Sequence, residues 1–215
     1  MKILNLYACL GGNRYKWGND HKITAVELDP ELCRLYKDRF PNDEVIMTDA
    51  HDYLLRNYKN FDFIWSSPPC PTHSKVRFTQ KNKEFYKPEY PNMMLYQEII
   101  FLKHHFNGKW VVENVDPYYE PLIKAQKRGR HLYWSNFIIP HDVDKTTRSG
   151  IIGGQVKNEF QELCKMHEID LSSYKGEQNK VKIARNLVHY DAGKIILDAA
   201  LNIIQKEKTL QISLF

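Results

Sequence analysis

Short apolar runs separated by segments of helical character fill the first two-thirds of this chain, and that alternation limits the fold more than any other feature. Lys2–Ala8, Ile23–Leu28, Val45–Thr48, Phe61–Ser66 and Trp110–Val115 read as strands. Helix signals lie between them: Asp29-Pro30 opens a stretch through Arg39, Asp49–Tyr58 follows, and Asn92–Phe106 carries apolar residues at near-helical spacing. Strands that alternate with helices are joined by crossovers and lie parallel, so the expected class is α/β, a central mostly parallel sheet flanked by helices. A late strand is expected over His131–Ile139. Beyond Pro140 the pattern loosens into a polar region with Gly150, Gly153 and Gly154, and amphipathic regularity returns over Ala192–Ile204. The chain divides accordingly into a body, 1–139 with 183–215, and a small irregular lobe at 140–182.

At 215 residues the chain supports one good-sized core with a small appendage, but not two full domains. Its four cysteines, Cys9, Cys33, Cys70 and Cys164, form no Cys-x-x-Cys pair and no Cys/His cluster at zinc spacing, so reduced thiols and no metal are expected. No apolar stretch approaches the roughly 18 residues that span a bilayer, and the amino terminus enters a strand at once. A soluble, cytoplasmic protein with no membrane partner is expected. The net charge of +5 permits a polyanionic partner without requiring one. The distribution says more: Lys75, Arg77, Lys81, Lys83 and Lys87 crowd one segment, and Lys124, Lys127, Arg128, Arg130 and His131 another. Such runs are often no more than a solvated face.

The fourth strand candidate runs into Ser67-Pro68-Pro69-Cys70-Pro71, so the prolines stop it and leave a thiol at the carboxyl edge of the sheet, where open α/β folds place ligands. A lone cysteine is also commonly a small buried hydrophobe. The following loop, Pro71–Pro91, is too long for a simple connector, and its Phe78, Phe85, Tyr86 and Tyr90 interleave with basic residues in a mixture suited to nucleic acid. After the first strand, Tyr7-Ala8-Cys9-Leu10-Gly11-Gly12 lets backbone pass close to a ligand. Glu27 at the end of the second strand occupies the place of a ribose-binding carboxylate, and Asp49 follows the third. The turn lacks dinucleotide glycine spacing and any Gly-Lys-Ser/Thr, which favours a nucleoside ligand without a pyrophosphate. Glu113-Asn114 closes the fifth strand at the same edge as Cys70. Arg128 and Arg130, two apart on an expected strand, would point to one side and hold a base edge, a phosphate or structural carboxylates.

With these residues in this order, the chain resembles the DNA cytosine-5 methyltransferases, whose Rossmann-like fold binds S-adenosyl-L-methionine. Asn5–Gly12 resembles the family's Asp-x-Phe-x-Gly-x-Gly-Gly turn, Ser67–Cys70 with Ser74 its Pro-Cys loop, Glu113-Asn114-Val115 its Glu-Asn-Val, and Gln126, Arg128 and Arg130 its Gln-x-Arg-x-Arg. Ala184–Val188 is similar to the late Gly-Asn-Ala/Ser-Val segment. The resemblance implies that Cys70 attacks C6 of a flipped cytosine, that Glu113 engages N3 and the exocyclic amine, and that Arg130, with Arg128 alongside, contacts the base. It implies a cofactor set of Tyr7, Leu10, Gly11 and Gly12 near methionine, Glu27 at the ribose, and Leu28, Asp49 and Ala50 at adenine. Pro69, Leu95, Asn186 and Val188 would close that pocket. Ser74, Lys75, Arg77, Lys81, Lys83, Asn114 and Gln126 would meet double-stranded DNA in a prokaryotic or phage-infected cell.

Several positions depart from the family pattern. Asn5 stands for the usual acid, Tyr7 for Phe, Cys9 for Gly, Ser67-Pro68 for Gly-Phe, Pro71 for Gln and Arg185 for Gly. None removes a reacting group. Only 140–182 remains for target recognition, which leaves that task to a short lobe, to the Pro71–Pro91 loop, or to a second subunit in a homodimer or a mixed assembly. Three rivals stay open: an exocyclic-amine methyltransferase, which Ser67-Pro68-Pro69 also resembles but which wants an aromatic at position 70, a transfer-RNA cytosine-5 methyltransferase, and a silent nucleic-acid binder.

Overall fold

The computed structural model describes residues 1–80, 83–84, 87–146 and 158–202. Seven strands form one sheet: β1 (Lys2–Leu6), β2 (Lys22–Glu27), β3 (Glu44–Met47), β4 (Phe63–Ser66), β5 (Lys109–Val115), β6 (Gln126–Arg128) and β7 (His131–Ser135). Their spatial order is β3-β2-β1-β4-β5-β7-β6. The first five are mutually parallel, while β7 runs antiparallel to both β5 and β6. The α-helices among the described residues are α1 (Pro30–Arg39), α2 (Ala50–Asn57), α3 (Met94–His105), α4 (Glu159–His167), α5 (Lys180–Asn186) and α6 (Tyr190–Ala200), with short 3-10 turns at Tyr58–Asn60, Lys75–Gln80 and His141–Thr146. Among the described residues no helix is long and apolar enough to cross a membrane.

The central strands are mostly apolar because both faces of the sheet are covered, as parallel sheets require, with buried polar residues such as Asn5, Ser66, Glu113 and Asn114 among them. Successive residues divide between two cores. Leu4, Leu6, Ile64 and Val112 pack with Leu54 of α2 and Leu95, Ile99 and Leu102 of α3. Ile3, Phe63, Trp65 and Val111 pack on the other side with Trp17 and with Ile196 and Leu197 of α6. Helices α1 and α2 start where side chains cap them. Asp29 accepts from the amides of Glu31 and Leu32 ahead of α1, with Pro30 at the first position, and Asp49 accepts from Asp52 N ahead of α2.

Differences from the sequence expectation have local causes. The first strand stops at Leu6 rather than Ala8, because Tyr7 and Cys9 take left-handed backbone with φ of 56° and 47°. The late strand stops at Ser135 rather than Ile139. Gln126–Arg128, expected to lead continuously into it, instead forms a hairpin partner turned at Gly129, whose φ is 55°. Within 140–182 the described residues include a regular helix, α4, where irregular chain was expected. It buries Leu163 and His167, and Phe160 packs with Leu171, Tyr174 and Ile183 against Leu10 and Leu32 of the body. Gly150, Gly153, Gly154 and Ile204 lie outside the described residues.

Strand order reverses direction between β1 and β4, so the connections leaving their carboxyl ends diverge and open a crevice. The Tyr7–Asn13 turn, the β2 end, the Ser67–Cys70 segment and the β5 end all meet there.

Candidate active site

The turn after β1 is held by contacts that specify its residues. Gly11 has a φ of 65°, and a Cβ there would lie 2.5 Å from the Phe40 ring. At Gly12 a Cβ would lie 2.4 Å from the Val188 carbonyl oxygen, so the segment before α6 rests directly on the turn. Asn5, at the position of the usual acid, is buried and accepts from Asn13 Nδ2 at 2.8 Å. Glu27 braces the opposite wall: Oε2 accepts from Cys9 N at 2.9 Å, and Oε1 from the amides of Leu28 and Asp29 at 2.8 and 3.1 Å.

On the far side of the crevice the segment after β4 is fixed to β5. Asn114 Nδ2 donates to the Pro68 carbonyl at 2.9 Å, and Asn114 Oδ1 accepts from Val115 N. Cys70 is half-buried, and its carbonyl accepts from the amides of His73 and Ser74. Burial first, and the Glu113 carboxylate second, push the Cys70 thiol above its ordinary pKa. Cys9 and Cys33 are pushed up to about 12 and about 11 by burial and by Glu27. Thiol acidity therefore does not single out Cys70. Its position does: Glu113, only 8% exposed, lines the same cleft, with His131 Nε2 3.6 Å from its Oε1.

One cleft of about 760 Å³ joins the two sides. Tyr7, Gly12, Glu27, Leu28, Asp49, Ala50, Pro69, Asn186 and Val188 line it, and it continues to Cys70, Ser74, Glu113, Asn114, Arg128 and Arg130. Three expected cofactor residues are not in its wall. Leu10 is buried against Leu32, Leu171 and Ile183, and Gly11 lies under the Phe40 and Tyr36 rings. Leu95 sits in the α3 core and borders a separate pocket of about 130 Å³, shared with Tyr7, Asp49 and Pro69.

The family model described as C-5 cytosine-specific DNA methylase matches residues 1–121, more than half of the chain. This chain belongs to the C-5 cytosine-specific DNA methylase family. Over 80 residues it is 30% identical to the Type II methyltransferase M1.HphI of Haemophilus parahaemolyticus, an alignment covering 33% of this chain and 21% of that one. Among solved structures, the Entamoeba histolytica methyltransferase EhMeth is 12% identical with a TM-score of 0.53, covering 95% of this chain and 98% of its own, a likeness of fold. Spodoptera frugiperda DNMT2, solved as a mutant, is 28% identical with a TM-score of 0.38, over 54% of this chain and 35% of that one. The methylase-family chain thus spans about a fifth of the Haemophilus protein and about a third of the Spodoptera one. The family match ends before β6, so the residues from Gln126 to Arg130 and from Asn186 to Val188 are placed by the fold alone.

Within this methylase scaffold the two arginines do not share a strand face. Arg128 closes β6 and is buried, its Nε donating to the carbonyls of Ile139 and Pro140 at 3.0 and 3.2 Å, its Nη1 to Lys127 O at 2.7 Å, and its Nη2 to Ile139 O. Arg130 stands exposed in the hairpin turn. The intervening Gly129 breaks the period-two rule. Gln126 likewise is committed to backbone: Nε2 donates to Ser135 Oγ and Phe137 O, and Oε1 accepts from Ile139 N. Asn114 is 2% exposed and holds Pro68, so neither amide presents itself as a nucleic-acid contact.

The basic loop is partly neutralised as well. Lys75 and Lys127 share Asp116 at 2.6 and 2.8 Å, and Arg77 pairs with Glu89 at 3.0 Å while donating to Lys87 O. Lys83 is exposed, and Lys81, Phe85 and Tyr86 lie outside the described residues. Sequence reasoning missed Gly193, whose Cβ would strike Asn13 O at 2.1 Å, and Glu98, fully buried on α3. A carboxylate inside the apolar run Leu95–Leu102 was the available signal for the latter.

Proposed function

We infer that the protein is an S-adenosylmethionine-dependent DNA cytosine-5 methyltransferase acting through a covalent bond from Cys70 to C6 of an extruded cytosine. The observation that carries this reading is the shared cleft, in which Cys70 and Glu113 open onto the same space as Tyr7, Glu27 and Val188. The turn end of the cleft is lined by the carboxylates Glu27 and Asp49 and by the apolar Pro69 and Val188. That lining suits the hydroxyls and base of a nucleoside, with its amino-acid tail along Tyr7 and Gly12, better than a phosphate. S-adenosylmethionine, when bound, supplies an electrophilic methyl carbon and leaves as a neutral thioether.

The chain's own residues make C5 of the ring able to accept it. At rest Cys70 is a thiol, its ionisation disfavoured by burial first and by the nearby Glu113 carboxylate second. Moving the proton from Cys70 to Glu113 leaves the total unchanged and produces both working forms, a thiolate and a neutral acid. The thiolate bonds C6, the C5–C6 electron pair moves to C5, and Glu113 passes its proton to N3. After C5 has been methylated, the C5 proton goes to water and the C5–C6 double bond re-forms. The C6–S bond breaks to return the Cys70 thiolate, and N3 returns its proton to Glu113. Exposed Arg130 meets the base or its flanking phosphate, while Arg128 positions the strand exit. Double-stranded DNA is the proposed partner, read by the segment 140–182, by the loop after Cys70, or with a second subunit.

The test is incubation with S-adenosylmethionine and duplexes carrying 5-fluorocytosine, whose fluorine blocks loss from C5. Wild type should give a denaturation-resistant adduct and Cys70→Ala none. An adduct that survives the substitution would overturn the covalent assignment. Parallel methyl transfer to duplex DNA and total transfer RNA at matched salt decides the substrate, since phosphate contacts make affinity steeply salt-dependent.

A further inference from the structure

Glu98 projects from the middle of α3 and is fully buried. A carboxylate in such a place is costly unless its oxygens are hydrogen-bonded. Among the described residues its hydrogen-bond partners are three side chains from three other elements. Tyr7 Oη donates to Oε1 at 2.6 Å, Ser66 Oγ donates to Oε2 at 2.6 Å, and His51 Nδ1 faces Oε1 at 3.2 Å. Tyr7 begins the turn at the cofactor end of the cleft, in left-handed backbone. Ser66 is the last residue of β4, four positions before Cys70. His51 lies in the first turn of α2, beside Asp49.

These partners are the points at which the two halves of the cleft leave the sheet. β1 and β4 are neighbours, with Leu6 paired to Ser66, and beyond that pair the chains diverge. One carboxylate spans the divergence, binding the residue just past the end of β1 with one oxygen and the last residue of β4 with the other. Charge-assisted hydrogen bonds of this length are the strong kind, and in a buried setting they set distance as well as energy. We propose that Glu98 is a positioning residue that fixes the Tyr7 turn against the Cys70 loop, and so sets the distance from bound cofactor to attacking thiol. The proposal rests on the functional reading above for the identity of the cofactor. The geometry of the clamp stands apart from it.

Ser66 gives the test its edge, because it is fully buried and does not line the cleft. Wild type, Glu98→Gln, Glu98→Leu and Ser66→Ala would be compared for S-adenosylhomocysteine affinity by calorimetry, for iodoacetamide alkylation of Cys70 followed by peptide mass, and for kcat and KM in methyl transfer. Glu98→Leu should weaken the affinity by about tenfold or more, shift the Cys70 alkylation rate and lower kcat with KM for DNA unchanged, as expected for lost alignment. Glu98→Gln, which keeps the shape and one acceptor, should recover most of this, and Ser66→Ala should move affinity in the same direction as Glu98→Leu. Should Glu98→Leu fail to fold, Ser66→Ala decides. A folded Glu98→Leu or Ser66→Ala protein with wild-type affinity and wild-type Cys70 reactivity would overturn the proposal. Failure of the functional reading looks different: wild type would then transfer no methyl group, while Ser66→Ala would still alter Cys70 alkylation.

Discussion

Asn114 Nδ2 donates to the carbonyl of Pro68 at 2.9 Å, so the strand that carries Glu113 holds the loop that carries Cys70. Both groups are buried, and Asn114 Oδ1 is already used by Val115 N, which fixes the amide's orientation. The acid and the thiol are therefore set against each other by a third residue that reacts with nothing.

Asn114→Ala should leave the Pro68 carbonyl buried without a donor, at a cost of about 1–3 kcal/mol in stability. Adduct formation with 5-fluorocytosine DNA should slow by about a hundredfold, since a misplaced reacting group loses rate steeply. Urea unfolding and quenched trapping measure the two effects. A variant with normal trapping would show that the loop holds its place unaided.

The two arginines should separate cleanly on substitution. Arg128 spends its guanidinium on backbone carbonyls in a buried site, so Arg128→Ala should destabilise by about 3 kcal/mol or more. Arg130 is exposed, and Arg130→Ala should change stability by less than about 0.5 kcal/mol yet lower trapping at least tenfold. Thermal melts beside the trapping assay check this, and equal destabilisation of both variants would contradict the division of labour.

Gly193 on α6 faces Asn13 so closely that an added Cβ would meet backbone atoms at 2.1 to 2.7 Å. Gly193→Ala cannot be absorbed by a side-chain rotation, and overpacking of this kind costs about 1–3 kcal/mol. Helix propensity, which favours Ala by about 1 kcal/mol, works the other way and is outweighed. Chemical unfolding should show a lower midpoint, and S-adenosylhomocysteine should bind more weakly, because the displaced turn lines the cleft.

What the sequence made legible was what depends on one element at a time. The buried parallel strands were readable because residues such as Leu4, Ile64 and Val112 must be apolar whichever face they meet. Glu27, Asp49, Cys70 and Glu113 were readable because strand ends in such a sheet point to one edge. Roles that depend on two elements meeting were not. Gln126 and Asn114 look like recognition amides until their backbone partners, Ile139 and Pro68, come into contact with them. Arg128 and Arg130 looked equivalent because a strand of only three residues gives too short a pattern to reveal the turn at Gly129. Lys75 and Lys127 came from separate charge clusters and met at one Asp116.

Asn5 shows how a departure from the family pattern is compensated. Its Oδ1 accepts from Asn13 Nδ2 while its own Nδ2 faces Asn13 Oδ1 at 3.4 Å. Restoring the acid with Asn5→Asp would set a carboxylate oxygen against that carbonyl in a site 1% exposed. The variant should lose about 1–3 kcal/mol at neutral pH. Burial raises the new acid's pKa, so the loss should shrink as pH falls and the acid becomes neutral. Unfolding midpoints at pH 5 and pH 7.5 check the sign.

His51 should make stability depend on pH near neutrality. Its imidazole is held above its usual pKa chiefly by the hydrogen bond to Glu98, with Asp49 and Asp52 adding to it and burial opposing. A folded-state pKa above the unfolded value of about 6.5 means that the charged ring stabilises the fold. That contribution is fully present below the unfolded pKa and is lost as pH rises through the folded one. Between the two values the loss has a limiting slope of about 1.4 kcal/mol per pH unit. The advantage of wild type over His51→Gln should therefore be largest near pH 6 and decline toward pH 8.5 in paired thermal melts. A difference that stays flat, or that grows with pH, would mean that the ring meets Glu98 in its neutral form.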